Sequence, residues 1–384
     1  MQISDRVQHI SASQSLQMAA RAKMMKDQGI DVISMSLGEP DMDTPVSIRR
    51  AAQEAIENHW SHYGPVPGIP SLREAIAKSQ NNQSSIVFNP ENVLVSVGAK
   101  MAIYNAIQTV INPGDEVIIP LPAWVSYSEM VKLAGGVVTP VKTRYENNYC
   151  MTAEQLRAAL TPRTRLLILC SPNNPTGSVY TYAQLEALLE VLRDYPEVMV
   201  LSDEIYACLT YEGTAISMSS FAELEDRLIL INGVSKAYAM TGYRIGWLLC
   251  KNKDFIAGCT RLQGQQLTCA TMVAQKAAES ALTGSQECVE AMRQVFAKRR
   301  ERLCQLAAQI PGWKFRPPQG AFYLFPVVSA LGTGDEVTEK LLNQAHVAVV
   351  SGSAFGCPEC IRLSYAIGEE EIEEAMRRIR CALQ

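Results

Sequence analysis

Positive charge, histidine and long apolar runs are what this sequence has little of. Its 35 basic residues are outnumbered by 39 acidic ones, for a formal net charge of −4. No surplus of cations is available to neutralise a phosphate backbone, so nucleic acid is not expected as a partner. No stretch reaches the roughly 18 consecutive apolar residues that a membrane span requires. Residues 1–30 carry Asp5, His9, Gln14 and Gln17 among scattered apolar positions, without the apolar core of a secretory signal. A cytoplasmic protein with no membrane association is the expectation. Four scattered histidines offer no ligand cluster, and no metal is expected.

Eleven cysteines, odd in number and mostly set in apolar segments such as those around Cys170, Cys208 and Cys250, read as buried thiols of a reducing compartment. Cys357-Pro-Glu-Cys360 has the spacing of a redox couple or half a zinc site. With no second pair and no histidine beside it, a structural role is the better reading.

What the chain has is length and patterning. Its 384 residues, 47% hydrophobic and 19% charged, suffice for one large and one smaller domain, each with its own core. From about residue 92, short apolar runs alternate with helical patterns: VLVSV then Lys100 to Ile111; EVIIP then a helix through Trp124 to Leu133; LLILC then Tyr182 to Leu192; VMVLSD; LILINGVSK. That alternation predicts an α/β domain with a mostly parallel sheet. Residues 285–310 predict a long amphipathic helix, with Val289, Met292, Val295, Phe296, Leu303, Leu306 and Ile310 as its apolar positions, suited to connecting two domains. The basic run Lys298, Arg299, Arg300, Arg302, beside Glu301, reads as a solvated face of that helix.

Open α/β sheets present ligands at the carboxyl ends of their strands, so the residues after each apolar run are the first candidates. They are Gly98-Ala99-Lys100 at a helix start, where free amides favour an anion; SPNNPTG at 171–177; Ser202-Asp203-Glu204-Ile205-Tyr206; and Asn232-Gly233-Val234-Ser235-Lys236. Singly, each has a bland reading: Asp203 a cap, Asn174 a turn residue, Lys236 a surface lysine. Together they place a carboxylate, an amide, a phenol and a lysine at successive strand ends, in the kind of cluster that shifts pKa values.

These segments, with SLGEPDMDTP at 36–45, YGPVPGIPSLREAI at 63–76, PGDEVIIPLPAWVSY at 113–127, SKAYAMTGYRIGW at 235–247, PQGAFYLF at 318–325 and IRLSYA at 361–366, resemble the class I aminotransferases of pyridoxal-5′-phosphate (PLP) fold type I, in their bacterial aspartate aminotransferase-like branch. The resemblance runs nearly end to end and implies a large domain with a mostly parallel seven-stranded sheet flanked by helices, plus a smaller α+β domain. It divides the chain into an N-terminal arm and part of the small domain at 1–45, the large PLP-binding domain at 46–284, and the interdomain helix with the small C-terminal domain at 285–384.

The resemblance also implies roles. Lys236 carries the cofactor and shuttles the proton, as a neutral amine can. Asp203 pairs with the pyridine nitrogen, Asn174 and Tyr206 with the phenolic oxygen, and Trp124 stacks on the ring. Gly98, Ala99, Lys100, Ser235 and Arg244 belong to the phosphate end, joined by Tyr63 from a partner subunit, which makes a homodimer with the site at its interface. Arg362 takes the substrate α-carboxylate, a planar fork on a planar group, with Gly38, Trp124 and Asn174 beside it. The small domain is then expected to close on a bound carboxylate.

Lys100 bears on specificity. A cation in the first turn of a helix is disfavoured by roughly 0.3–1 kcal/mol, and in this branch that lysine goes with the distal carboxylate of aspartate or glutamate, with Ser15 assisting; it could instead only offset phosphate charge. The implied reaction passes an amino group from an L-amino acid to a 2-oxo acid, 2-oxoglutarate or oxaloacetate, by a ping-pong mechanism. Relatives commonly read PYW and VPG where this chain has Pro122-Ala123-Trp124 and Val350-Ser351-Gly352. These departures keep aromatic acids, prephenate, alanine and glutamine open as substrates, and a β-lyase or decarboxylase as a rival chemistry. A non-catalytic PLP-binding regulator is disfavoured, since the resemblance begins by about residue 30 and leaves no basic DNA-binding head.

Overall fold

The computed structural model describes residues 3–384, so the expected N-terminal stretch begins two residues outside the described ones. Twelve strands form along this span. In chain order they are β1 (Ile33–Ser34), β2 (Val93–Val97), β3 (Glu116–Leu121), β4 (Val137–Lys142), β5 (Thr164–Cys170), β6 (Met199–Asp203), β7 (Leu228–Gly233), β8 (Ile245–Leu249), β9 (Tyr323–Leu324), β10 (Val347–Ala348), β11 (Val350–Ser351) and β12 (Ile361–Ser364). Seven of them make one sheet in the order β2-β8-β7-β6-β5-β3-β4. It is parallel except for β8, which runs against both β2 and β7.

This sheet is buried on both faces, which is why its strands read as unbroken apolar runs rather than alternating ones. Successive residues nevertheless go to opposite sides. Val93 and Val95, Leu167 and Leu169, Leu228 and Leu230 enter one core; Leu94, Leu166 and Ile168, Ile229 and Ile231 enter the other. Helices Val46–Glu57, Pro70–Asn81, Tyr182–Leu192 and Met272–Thr283 contribute to the first core, and Gly98–Val110, Ser126–Leu133 and Lys253–Gln266 to the second.

A third apolar cluster gathers Ile33 and Met35 with residues 292–379, around the antiparallel sheet β11-β12-β9 and the parallel pair β1-β10. Ile205, Tyr206 and Leu209, just after β6, join this cluster. The C-terminal end of the large sheet is thereby packed against the smaller sheet.

Several expectations need correcting. The large sheet has the seven strands the resemblance implies, but the apolar runs mark only five of them and pass over β4, a half-exposed edge strand interrupted by Pro140, as prolines at edges are tolerated, and β8, hidden within the GYRIGW motif. The helix expected through Trp124 begins at Ser126, because the preceding turn is held to another loop through the Ala123 amide on the Phe355 carbonyl.

The long helix runs Glu287–Ala307, and its inward face is Met292, Phe296, Arg299, Leu303 and Ala307; Val295 is exposed. The basic run is a solvated face only in part: the side chains of Lys298 and Arg302 are exposed, that of Arg300 is largely covered and Arg299 is buried. Lys298 pairs with Glu369, Arg300 with Glu212 and Arg302 with Glu373, while Arg299 is buried and pairs with Asp41.

Gly246 sets the approach of β8 to the helix Gly98–Val110. A Cβ there would lie 2.6 Å from the Gly98 carbonyl carbon and against the Ala99 amide, both backbone atoms that cannot step aside. Gly246→Ala is therefore expected to destabilise the fold by about 1–3 kcal/mol through overpacking, read as a lower urea midpoint. An unchanged midpoint would show that the helix start can move freely.

Candidate active site

A cavity of about 420 Å³ opens at the carboxyl ends of the large sheet. The ends of β2, β3, β5, β6 and β7 each supply part of its wall. After β2 the chain turns into the helix Gly98–Val110 through Gly98 at φ +78, a left-handed conformation suited to glycine. A Cβ at Gly98 would meet the Arg244 guanidinium at 2.5 Å. A hydrogen in place of a Cβ is what lets that cation lie over the helix start. Arg244 is itself left-handed, φ +56, and its Nη1 donates to the Thr241 carbonyl at 2.8 Å. One end of the cavity thus joins a guanidinium to the free amides of Ala99 and Lys100, an anion site by construction.

Asp203 ends β6 on the face of the second core, one residue out of phase with Ser202 and Glu204. It is buried, and Tyr127 donates to its Oδ2 at 2.6 Å while the Ile205 amide donates to Oδ1 at 3.2 Å. Burial pushes the Asp203 carboxyl up, against these two hydrogen bonds and the nearby Lys236 charge. A cation brought to this end would relieve that penalty.

Lys236, on the short helix Val234–Ala237 after β7, points between the two ends. Its Nζ donates to the Gly38 carbonyl at 2.5 Å. Burial lowers its pKa to about 8, with Arg244 and Arg362 pushing the same way against Glu39 and Asp203. An amine held in this way is part neutral near pH 8, as a nucleophile and base has to be.

Arg362, in β12, is buried. Its Nη1 donates to Asn174 Oδ1 at 3.0 Å and Nη2 to the Ser36 carbonyl at 2.7 Å, while its buried Nε has no partner. The guanidinium lies over Tyr323, 4.4 Å from the ring centroid, and 5.0 Å from that of Phe355. Tyr206 and Tyr323 share a hydrogen bond of 2.8 Å. At the mouth, the Lys100 ammonium sits 4.8 Å over the Trp124 ring, its pKa lowered by partial desolvation and by Arg244.

Of the residues the sequence singled out, Gly38, Ala99, Lys100, Trp124, Asn174, Asp203, Tyr206, Ser235, Lys236, Arg244, Arg362 and Ser15 line this one cavity, and Gly98 shapes it through Arg244. Tyr63 does not line it and is 89% exposed.

Sequence reasoning missed Tyr127 and Tyr323, both lining the cavity, together with Glu39 and Thr241, which meet through a 2.9 Å hydrogen bond. Tyr127 stands three residues after Trp124 and packs edge-on against its ring, centroids 5.3 Å apart, and that closeness in sequence is the signal that could have found it. Among the described residues no group of three or more His, Cys, Asp or Glu could hold a metal ion, and no helix is long and apolar enough to cross a membrane. Cys357 and Cys360 are buried with their sulfurs 3.4 Å apart.

Comparison with known proteins gives the family. The family model for aminotransferase class I and II matches residues 30–379. An aspartate aminotransferase from Bacillus sp. (strain YM-2) is 43% identical over 98% of both chains, and an aspartate/prephenate aminotransferase from Cereibacter sphaeroides is 40% identical, again over 98% of both. The solved aspartate aminotransferase of Thermus thermophilus with maleate superposes with a TM-score of 0.95 at 38% identity, covering 100% of each chain. The chain belongs to the class I and II aminotransferase family.

The lowered Lys236 pKa has two consequences. Because the folded chain holds this amine below its unfolded value, the unfolded state binds the proton more tightly. The group therefore costs stability below about pH 8, and the cost fades as pH rises toward the ordinary lysine range. Capture of a small aldehyde at Lys236, trapped by reduction and quantified by peptide mass, should speed up about ten-fold per pH unit and level off near pH 8. A rate still climbing well above pH 9 would contradict the assigned environment.

Proposed function

We propose that this aminotransferase uses pyridoxal 5′-phosphate to take the amino group of L-aspartate or L-glutamate and pass it to a 2-oxo acid, 2-oxoglutarate or oxaloacetate. The observation that carries the reading is the order of groups in the cavity: an anion cradle at Gly98 and Arg244, a buried carboxylate at Asp203, and an amine of lowered pKa between them. A ligand with a phosphate at one end, a basic ring nitrogen at the other and an aldehyde between fits that order. The cradle exists only because Gly98 has no Cβ, and the carboxylate faces the cavity with no fixed cation other than Lys236 within reach.

When bound, the cofactor supplies an aldehyde carbon that captures the amine and a ring that accepts electron density. Arg244, the Ala99 and Lys100 amides and the Ser235 hydroxyl would hold its phosphate. Asp203, braced by Tyr127, would keep a proton on the ring nitrogen. Asn174 and Tyr206 would take the phenolic oxygen, and Trp124 the ring face. Lys236 holds and moves the proton at Nζ: when free it rests against the Gly38 carbonyl, and from there it swings to the reacting carbon.

Arg362 would bind the α-carboxylate. Its two Nη groups are oriented by Asn174 and Ser36, and its Nε is buried without a partner; the fork is aimed before substrate arrives. Gly38 supports close approach, since a Cβ there would lie 2.5 Å from the Tyr323 hydroxyl. Lys100 and Ser15 at the mouth would meet a distal carboxylate, and the maleate named with the Thermus relative is itself a dicarboxylate. A second reading has its own support: Leu16, Leu37 and Ile103 line the same mouth, which suits a bulkier, partly apolar substrate such as prephenate.

The division at 45/46 and 284/285 belongs to this reading, supported by the separate apolar clusters of the large sheet and of the smaller one. So does a homodimer, supported by the exposure of Tyr63 in a family motif outside its own cavity. A cytoplasmic location is supported by eleven free cysteines.

The test is a single-turnover screen of amino acids against the holoenzyme, following loss of the bound aldehyde's absorbance. Aspartate and glutamate should be among the fastest. Lys100→Ala should slow both by about 10–100-fold, the value of one hydrogen bond to a charged group, and leave alanine unaffected. Lys236→Ala should abolish turnover with the fold intact by circular dichroism. Slow dicarboxylates in the wild type, or no effect of Lys100→Ala, would refute the specificity, and release of carbon dioxide with alanine from aspartate alone would point to a decarboxylase. Sedimentation should give twice the chain mass of 42.2 kDa; a monomer with full activity would remove the partner's role.

A further inference from the structure

Arg299 does something its neighbours do not. Lys298, Arg300 and Arg302 pair with the exposed acids Glu369, Glu212 and Glu373. Arg299 occupies the core face of its helix, is 8% exposed, and donates both Nη groups to the two carboxylate oxygens of Asp41, at 2.7 and 2.8 Å. A fork-on-fork pair fixes orientation as well as distance.

Asp41 ends a strap, residues 35–41, that runs along the cavity. At its start the Met35 amide donates to the Ala348 carbonyl and the Met35 carbonyl accepts from the Ser364 amide, each at 2.8 Å. Along its length the Ser36 carbonyl accepts from Arg362 at 2.7 Å, the Gly38 carbonyl accepts from Lys236 at 2.5 Å and the Glu39 carboxylate accepts from Thr241 at 2.9 Å. Leu37 and Glu39 are exposed, so apolar packing does little to hold the middle of the strap. Its downstream end is covered at Pro40 and Met42, which is packed against the core of the smaller sheet, and is oriented by the Arg299–Asp41 pair.

We propose that Asp41 and Arg299 are positioning residues of this site: their pair anchors the strap so that the Ser36 and Gly38 carbonyls stay aimed at Arg362 and Lys236. The inference rests on the roles proposed above for Arg362 and Lys236. With the anchor lost, the strap can lift from both. The free amine then loses its resting acceptor and the carboxylate-binding fork one of its two orienting partners. A misplacement of about 1 Å at such a point costs up to 10²-fold in rate.

The experiment compares holoenzymes carrying Asp41→Asn, Arg299→Met and both changes with wild type and with Asp41→Glu, which keeps the charge. Amides of residues 36–39 and 41 should exchange hydrogen about ten-fold faster in the first three variants, with the helix 287–307 still protected. KM for the dicarboxylic donor should rise about ten-fold, more than kcat falls. The pH midpoint of the bound chromophore should move, and Asp41→Glu should recover part of each effect. The double variant, free of an uncompensated charge, should regain melting temperature but not KM or the midpoint. If melting temperature alone changes while exchange at those amides, KM and the midpoint stay at wild-type values, the pair is a structural brace and the proposal falls. Should the wild type move no amino group from any donor, the functional reading fails by itself. Exchange and chromophore midpoint still decide the strap: altered values in the variants support it and unaltered ones overturn it.

Discussion

The large sheet is buried on both faces, and the rest of the molecule depends on that constraint. Apolar side chains fill both layers against it, so a charged group within a strand would have no partner and no water. Polar chemistry is pushed to where strands end and backbone amides come free. Asp203, Asn174, Lys236 and the Gly98 turn all sit at such ends, and the parallel arrangement brings those ends to one edge. The antiparallel β8 adds Arg244 to the same edge, because it enters the sheet where its neighbours leave it.

Gathering charge in one place makes each group's state depend on the others. Lys236 is drawn toward its neutral form by burial and by two guanidiniums, while two carboxylates work to keep its proton on. Asp203 is pushed toward protonation by burial and drawn back by Tyr127 and Ile205. Neither is at rest in the chain alone. A ligand with an anion at one end and a basic nitrogen at the other offsets both strains together, so the cavity's selectivity for such a ligand is electrostatic before it is steric.

The strand ends were legible from the sequence because apolar runs and the polar residues following them are one-dimensional features. VLVSV, LLILC, VMVLSD and LILINGVSK formed strands, and the residues after them reached the cavity. The edge strand β4, half-exposed and interrupted by Pro140, offers no such run. Tyr127 and Tyr323 owe their roles to partners 76 and 117 residues away, Asp203 and Tyr206, and no local pattern names a partner. Arg299 is a different case. Spacing alone put it in line with Phe296 and Leu303 on the inward face, but its charge and basic neighbours outweighed the period. A charged residue in phase with a buried stripe is a sign of a buried partner, since it would not otherwise persist there.

The strap at 35–41 explains why one chain needs its two ends together. Ser36 and Gly38 come from the N-terminal stretch, Arg362 and the β12 strand from the last quarter, and Lys236 from the middle. Arg362 is oriented by one carbonyl from the strap and one amide oxygen from the loop after β5. A carboxylate that displaces or tightens either contact pulls on elements of both the smaller and the larger sheet. The strap also holds the Lys236 amine, so the same pull would reach the group proposed to move the proton. On the proposed roles, carboxylate recognition and amine placement would be mechanically linked through a few backbone carbonyls, and a substrate lacking the α-carboxylate would lose orientation at the lysine as well as affinity at the arginine.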